Sequence, residues 1–119
     1  MAPTVARRED GAILAIGSPG ASRITTAIAQ TIWQHIFFGK SLDAAVAHPR
    51  LHVELFADAS NIAFERGLPI TPVDGLTPRQ FDRLSMYFGG VQAARWSPGE
   101  GLLAVADARR AGQTAYGGE

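Results

Sequence analysis

The stretch Gly17-Ser18-Pro19-Gly20-Ala21-Ser22-Arg23 decides the fold of this chain, because it joins two segments of different periodicity. Before it, residues 12–16 form an unbroken apolar run, which predicts a strand covered on both faces. After it, apolar residues recur at helical spacing from Ile24 to Phe37. The first amides of a helix lack internal acceptors, so a Gly-Pro-Gly corner at this place can bind an anion or a developing oxyanion. The alternative is that the corner is only a turn.

The composition is that of an ordinary globular domain, or of part of one. The chain has 119 residues, of which 46% are hydrophobic and 18% are charged. Eleven basic residues balance eleven acidic ones, which gives no support for binding nucleic acid or an acidic membrane surface. Cysteine is absent, and this excludes disulfides and thiol nucleophiles. No apolar stretch has the length of a membrane span or the pattern of a signal peptide, and the sequence leaves the compartment open.

The first half of the chain predicts a hairpin followed by two helices. Asp10-Gly11 separates residues 4–8 from residues 12–16 and is a strong hairpin turn signal. Ser41 is placed to cap a second, short helix that ends at His48-Pro49.

The second half predicts further strands and one short helix. Residues 50–55 alternate as a half-buried strand does, and residues 62–65 return as its partner. Thr77-Pro78-Arg79-Gln80 resembles a capping box and predicts a turn or two of helix. Residues 91–96 and 102–106 predict a last hairpin. Antiparallel hairpins with helices packed on one face make an α+β fold.

Residues that could carry metal or acid–base chemistry are few and scattered. The histidines have no metal-binding spacing, and we predict no metal site and no cofactor. The carboxylates show no paired arrangement for general acid–base catalysis. The histidines are His35, His48 and His52, and the carboxylates in question are Glu54, Glu65, Asp74 and Asp82.

Two other groups of residues are assigned structural roles. Asp107, between a strand and two arginines, is interpreted as a structural ion pair or turn former, with a catalytic base as the alternative. Trp33, Phe37 and Phe38 are interpreted as core residues, with a cofactor-binding cluster as the alternative.

Five segments occur in order along the chain: residues 1–5, 17–24, 44–51, 88–92 and 107–110. Together they resemble the C-terminal part of the small subunit of the γ-glutamyltranspeptidases. The resemblance implies an N-terminal-nucleophile hydrolase with an αββα sandwich, whose N-terminal threonine attacks a γ-glutamyl amide. Water or an acceptor amine then resolves the acyl-enzyme. In that family the two amides after the proline of a Ser-Pro-Gly-Gly corner form the oxyanion hole, which implies Gly20 and Ala21 here.

The sequence departs from the family pattern at the corner, where Ala21 replaces the second glycine. The amide donor is then expected to survive only if this position does not need a positive φ. The nucleophilic threonine, two serines that bind the α-carboxylate and an arginine of the large subunit would all lie outside these 119 residues. Thr4 matches a strand position rather than the nucleophile.

We therefore expect a piece of a longer γ-glutamyltransferase or γ-glutamyl hydrolase that is inactive alone. Residues 1–110 would be the C-terminal portion of the domain, and residues 111–119 a frayed tail. The expected partners are the rest of the small subunit, the large subunit and a γ-glutamyl substrate. The resemblance also suggests a periplasmic or extracellular location.

Two alternatives remain open from the sequence. The first is a non-catalytic structural module of the same fold that self-associates through an exposed apolar face. The second is the tail of a related acylase that acts on another amide.

Overall fold

The first two strands form the hairpin that the Asp10-Gly11 turn predicts. In the computed structural model, which describes residues 1–118, β1 (Thr4–Arg7) pairs antiparallel with β2 (Ile13–Gly17). Asp10 Oδ1 accepts a hydrogen bond of 3.0 Å from the Ala12 amide. Because the turn is closed by local hydrogen bonds, it fixes the register of the two strands.

β2 also pairs with a strand from the far end of the chain. β6 (Gln92–Ser97) and β7 (Gly101–Ala106) form the predicted C-terminal hairpin, and β6 lies antiparallel to β2. The result is a four-stranded antiparallel sheet in the order β1-β2-β6-β7. This pairing brings the N-terminal corner next to the residues that precede β6.

Two helices cover one face of this sheet, as predicted. α1 (Ile24–Ile32) continues into a π-helical turn (Trp33–Phe37), and α2 (Leu42–Ala47) follows. Ser41 caps α2, since its hydroxyl accepts a hydrogen bond of 3.2 Å from the Ala44 amide. The core between helices and sheet consists of Leu14, Ile16, Ala27, Ile28, Leu42, Val46, Val91, Ala93 and Val105.

The aromatic residues that follow α1 are not part of this core, so that prediction is wrong. Trp33, Phe37 and Phe38 are 52%, 67% and 62% exposed. The helix widens at Trp33, whose carbonyl accepts from the Phe38 amide at 3.2 Å. In a π turn each residue rotates less about the axis, so these side chains move off the buried stripe. They pack on one another instead, with the Trp33 and Phe37 ring centroids 4.5 Å apart.

No helix covers the second face of the four-stranded sheet within residues 1–118. The prediction that β2 is covered on both faces is therefore wrong for the described residues: Leu14 and Ile16 are buried, but Ile13 is 41% exposed. Side chains alternate along a strand, and the helices supply only one layer. We call the uncovered side the open face; it carries Val5, Ile13, Ala15, Ala94, Trp96, Leu102 and Ala104.

The middle of the chain forms a second sheet of three strands, in the order β3-β4-β5. β3 (Leu51–Leu55) and β4 (Ser60–Glu65) pair antiparallel as predicted, and β5 (Thr77–Phe81) is parallel to β4. The prediction that Thr77-Pro78-Arg79-Gln80 begins a short helix is therefore wrong. A helix of one or two turns has too few hydrogen bonds to offset its nucleation, whereas an edge strand tolerates the missing amide hydrogen of Pro78.

The C-terminal segment has no helix or strand after a 3₁₀ turn (Ala108–Arg110). It is nevertheless bonded to the rest of the chain: the Gly112 amide donates to the Asp107 carbonyl at 3.0 Å, and the Tyr116 hydroxyl accepts a hydrogen bond of 2.9 Å from the Ala104 amide on β7. Fraying of residues 111–119 stays a prediction, and Glu119 lies outside the described residues. Within residues 1–118, every helix is too short or too polar to cross a bilayer.

Candidate active site: the Ser18–Ala21 corner

The corner is anchored by a buried serine. Ser18 has no exposed surface, and its hydroxyl donates to the Pro19 carbonyl at 2.7 Å. The same oxygen accepts a hydrogen bond of 3.1 Å from the Gly90 amide. A contact between residues so distant in sequence fixes the corner against the segment that leads into β6.

After Pro19, Gly20 and Ala21 turn the chain through backbone conformations of positive φ. Gly20 has φ 129° and Ala21 has φ 51°. The condition set for survival of the Ala21 donor, a position without positive φ, is therefore not met; Ala21 retains its N–H group and carries the strain of an L-residue in this conformation. Strain of this kind is held where the surrounding structure determines the backbone.

The amides of Gly20 and Ala21 have no hydrogen-bond acceptor within residues 1–118. The Gly20 carbonyl is in use, since it accepts from the Arg23 amide at 3.0 Å as the 3₁₀ turn (Ala21–Arg23) begins. Gly20 is half-buried and Ala21 is exposed. Adjacent amides without internal acceptors ahead of a helix are groups to which an anion can bind.

The corner packs so closely on Gly89 that neither side has room for a side chain. A Cβ atom on Gly20 would lie 3.1 Å from the Gly89 Cα atom. A Cβ atom on Gly89 would lie 2.6 Å from the Ser18 hydroxyl oxygen. The Phe88-Gly89-Gly90 segment, which the sequence marked only as a family motif, is the second wall of the site.

A buried network of four charged residues supports that second wall. Arg50 Nη1 lies 2.9 Å from Asp107 Oδ2, Arg109 Nη2 lies 2.6 Å from Glu65 Oε1, and Arg109 Nη1 lies 3.1 Å from Asp107 Oδ1. All four residues are less than 9% exposed. Two positive and two negative groups balance, which offsets the desolvation of each charge.

The network reaches the backbone on both sides of Gly89. Arg50 donates to the Phe88 carbonyl at 3.1 Å, and Asp107 accepts from the Val91 amide at 2.8 Å. Asp107 also caps the last 3₁₀ turn by accepting from the Arg109 amide. Its interpretation as a structural ion pair and turn former is confirmed.

The two buried arginines have pKa values that move in opposite directions. Burial, with the nearby Arg109 charge, lowers the pKa of Arg50 from its ordinary value. Burial also opposes the charge of Arg109, but its hydrogen bonds to Glu65 and the charge of Asp107 raise the pKa of Arg109. Arg109 is thus the more strongly held cation.

The histidines lie apart and each binds a protein group through Nδ1. His35 contacts the Lys40 carbonyl at 2.7 Å, His48 the Pro49 carbonyl at 2.8 Å and His52 the Thr26 hydroxyl at 3.1 Å. Burial lowers the pKa of both His48 and His52. Within residues 1–118 no three histidine or acidic side chains come together as a metal site would require.

Comparison with known proteins places this corner in a family. A family model described as gamma-glutamyltranspeptidase matches residues 1–117. The chain belongs to the gamma-glutamyltranspeptidase family. Among curated relatives, the glutathione hydrolase proenzyme of Bacillus subtilis (strain 168) is 32% identical over 116 residues. That match covers 94% of this chain and 19% of the relative, so the chain spans about a fifth of that proenzyme.

Solved structures of the gamma-glutamyltranspeptidase family have the same architecture. The enzyme from Pseudomonas nitroreducens complexed with L-DON superposes with a TM-score of 0.75 at 27% identity, over 99% of this chain and 62% of that one. The transpeptidase CapD of Bacillus anthracis superposes with a TM-score of 0.76 at 24% identity, over 98% of this chain and 70% of that one. The α+β fold predicted from the sequence is confirmed.

Proposed function

We propose that this segment supplies the oxyanion hole of an enzyme that cleaves glutathione-type γ-glutamyl amides. The supporting observation is the pair of amides at Gly20 and Ala21, which face no protein acceptor within residues 1–118. Family membership supplies the reaction class, and the corner supplies a group that acyl transfer requires.

The chemistry assigns the corner one task. When a threonine hydroxyl attacks the γ-carbonyl carbon, the carbonyl π electrons move to oxygen and the carbon becomes tetrahedral. The threonine proton passes through its own α-amine to the leaving amine. Two fixed N–H donors stabilise the oxygen while its charge is greatest, and collapse of the intermediate expels the amine. Water or an acceptor amine then releases the γ-glutamyl group by the same steps.

The rigidity of the corner suits this task, because a preorganised donor needs no rearrangement as charge develops. Ser18, Gly89 and the buried charge network hold both amides before any substrate arrives. Removal of one such donor lowers kcat by about 10²–10³-fold in enzymes of this type.

We further propose that the remainder of the enzyme covers the open face and provides the nucleophile. Thr4, a strand residue, donates its hydroxyl to the Ala2 carbonyl at 3.1 Å. The open face is apolar, with Trp96 47% and Leu102 59% exposed. A surface of this kind is suited to burial against another layer of the same enzyme. The 119-residue chain alone is then expected to show no turnover.

Replacing backbone amides by esters tests the proposal most directly. Lactic acid in place of Ala21 removes the N–H group and keeps the methyl group and the backbone path. Lactic acid at Ala57, in an exposed turn, is the matched control for ester chemistry. Both are introduced into the complete enzyme, and hydrolysis of a γ-glutamyl anilide is measured.

We expect the Ala21 ester to lower kcat by about 10²-fold or more with little change in KM, since the donor acts only in the transition state. The Ala57 ester should be as active as the unmodified enzyme. An Ala21 ester with full kcat would refute the oxyanion-hole assignment.

A further inference from the structure

A tyrosine next to the corner contacts both the corner and the second sheet. Arg23, the last residue of the corner motif, donates from Nε to the Tyr87 carbonyl at 3.0 Å. Its guanidinium carbon also lies 4.5 Å from the centroid of the Tyr87 ring. One arginine therefore binds both the backbone and the ring of the same residue.

The far side of Tyr87 is fixed by the three-stranded sheet. Its ring stacks on Phe81 of β5 with centroids 5.1 Å apart, and its hydroxyl donates to Glu54 of β3. Glu54 is 7% exposed, although it lies on a strand whose neighbour Leu55 is 78% exposed. The alternation in β3 thus buries the polar side of the strand, toward Tyr87 and Arg79.

The protonation states fit this arrangement. Burial would raise the pKa of Glu54, but hydrogen bonds from Tyr87 and Asn61 and the charge of Arg79 lower it. Burial and the neighbouring Glu54 charge raise the pKa of Tyr87. At neutral pH the phenol is therefore the donor and the carboxylate the acceptor.

We propose that Arg23, Tyr87 and Glu54 form a clamp in which Tyr87 is a positioning residue for the Gly20 and Ala21 amides. The proposal rests on the proposed function of those amides. Tyr87 lies in the 3₁₀ turn (Met86–Phe88) that ends at Gly89, and Gly89 is the residue against which Gly20 packs. Fixing Tyr87 from the second sheet thereby fixes both walls of the corner.

The clamp is tested in the complete enzyme with substitutions that alter its two contacts, Tyr87 with Glu54 and Arg23 with Tyr87. Tyr87→Phe removes only the oxygen that binds Glu54, and Arg23→Gln removes the stacked charge. Arg83→Gln changes an exposed arginine of the same region and is the matched control. The measurements are kcat and KM for γ-glutamyl anilide hydrolysis, the Tm, and the amide chemical shifts of Gly20 and Ala21 in the complete enzyme labelled with ¹⁵N-glycine and ¹⁵N-alanine.

Displaced donors should slow the chemical step without weakening substrate binding. We expect kcat to fall about tenfold for Arg23→Gln and about threefold for Tyr87→Phe, with KM unchanged. Both variants should shift the Gly20 and Ala21 amide resonances, whereas the control should alter neither kcat nor these shifts. If the Arg23→Gln variant does not fold, kcat and the amide shifts of the Tyr87→Phe variant alone test the clamp.

Failure of the clamp and failure of the oxyanion hole give different results. Unchanged kcat and amide shifts in folded clamp variants would overturn the clamp, provided that the Ala21 ester is inactive. A fully active Ala21 ester would overturn the proposed function, and the clamp assignment with it.

Discussion

Ala21→Gly is predicted to stabilise the chain, although it removes a side-chain carbon. Ala21 has φ 51°, and a left-handed conformation costs an L-residue about 1–2 kcal/mol. Glycine does not have this cost, but its greater conformational freedom in the unfolded chain lowers the free energy of unfolding by about 0.4–1 kcal/mol. The difference is a gain of about 0.5–1 kcal/mol in the free energy of unfolding. For a chain of this size that corresponds to a Tm higher by about 2–4 °C.

The chain offers one control substitution that should stabilise it and one that should destabilise it. Ala111 has φ 50°, so Ala111→Gly should give the same gain at a site outside the corner. Ala29 is exposed within α1, where glycine should lower the free energy of unfolding by about 1 kcal/mol. Urea unfolding of the three variants measures the differences. If Ala21→Gly destabilises as Ala29→Gly does, while Ala111→Gly stabilises, then Ala21 is not left-handed and the described geometry of the amides is wrong.

Three other changes have defined outcomes. Gly89→Ala should destabilise the chain by at least about 2 kcal/mol more than Gly99→Ala. Both glycines have a positive φ, but only a Cβ atom at Gly89 would meet neighbouring atoms. Equal losses of stability in urea unfolding would contradict the close packing at Gly89. Arg109→Met should lower the free energy of unfolding by about 3–5 kcal/mol, because it leaves Glu65 buried without its partner; a loss below about 1 kcal/mol would show that this carboxylate is solvated. The pKa of Glu54 is lowered by folding, so its contribution is present above the unfolded pKa of about 4.3 and is lost as the pH falls through the lower folded value. Glu54→Gln should therefore reduce the loss of stability between pH 6 and pH 3, and parallel curves for the two proteins would exclude this contribution.

Local signals in the sequence were sufficient for the parts of the fold that local chemistry determines. The Asp10-Gly11 turn, the Ser41 cap and the final hairpin follow from turn and cap residues and are found as predicted. The oxyanion-hole role of Gly20 and Ala21 stays a prediction, although the corner geometry agrees with it.

Long-range contacts account for the errors and omissions. The sequence at Thr77–Phe81 contains a good helix start, but pairing with the free edge of β4 determines the outcome. Tyr87, Arg23 and Glu54 lie far apart along the chain, so no spacing rule could group them. The one available signal was Glu54 itself, a carboxylate that stands between Val53 and Leu55 in an alternating strand.

The anion-binding corner is assembled from residues that leave the ribosome at very different times. The Ser18 hydroxyl cannot accept its hydrogen bond until Gly90 has been synthesised, and the wall around Gly89 is complete only when Asp107 has bound both Arg50 and Arg109. Synthesis proceeds from the N-terminus, so Gly20 and Ala21 emerge long before their supports exist. A nascent chain thus cannot display the two amides in their final geometry. The site becomes available only after nearly all of the described segment has been translated.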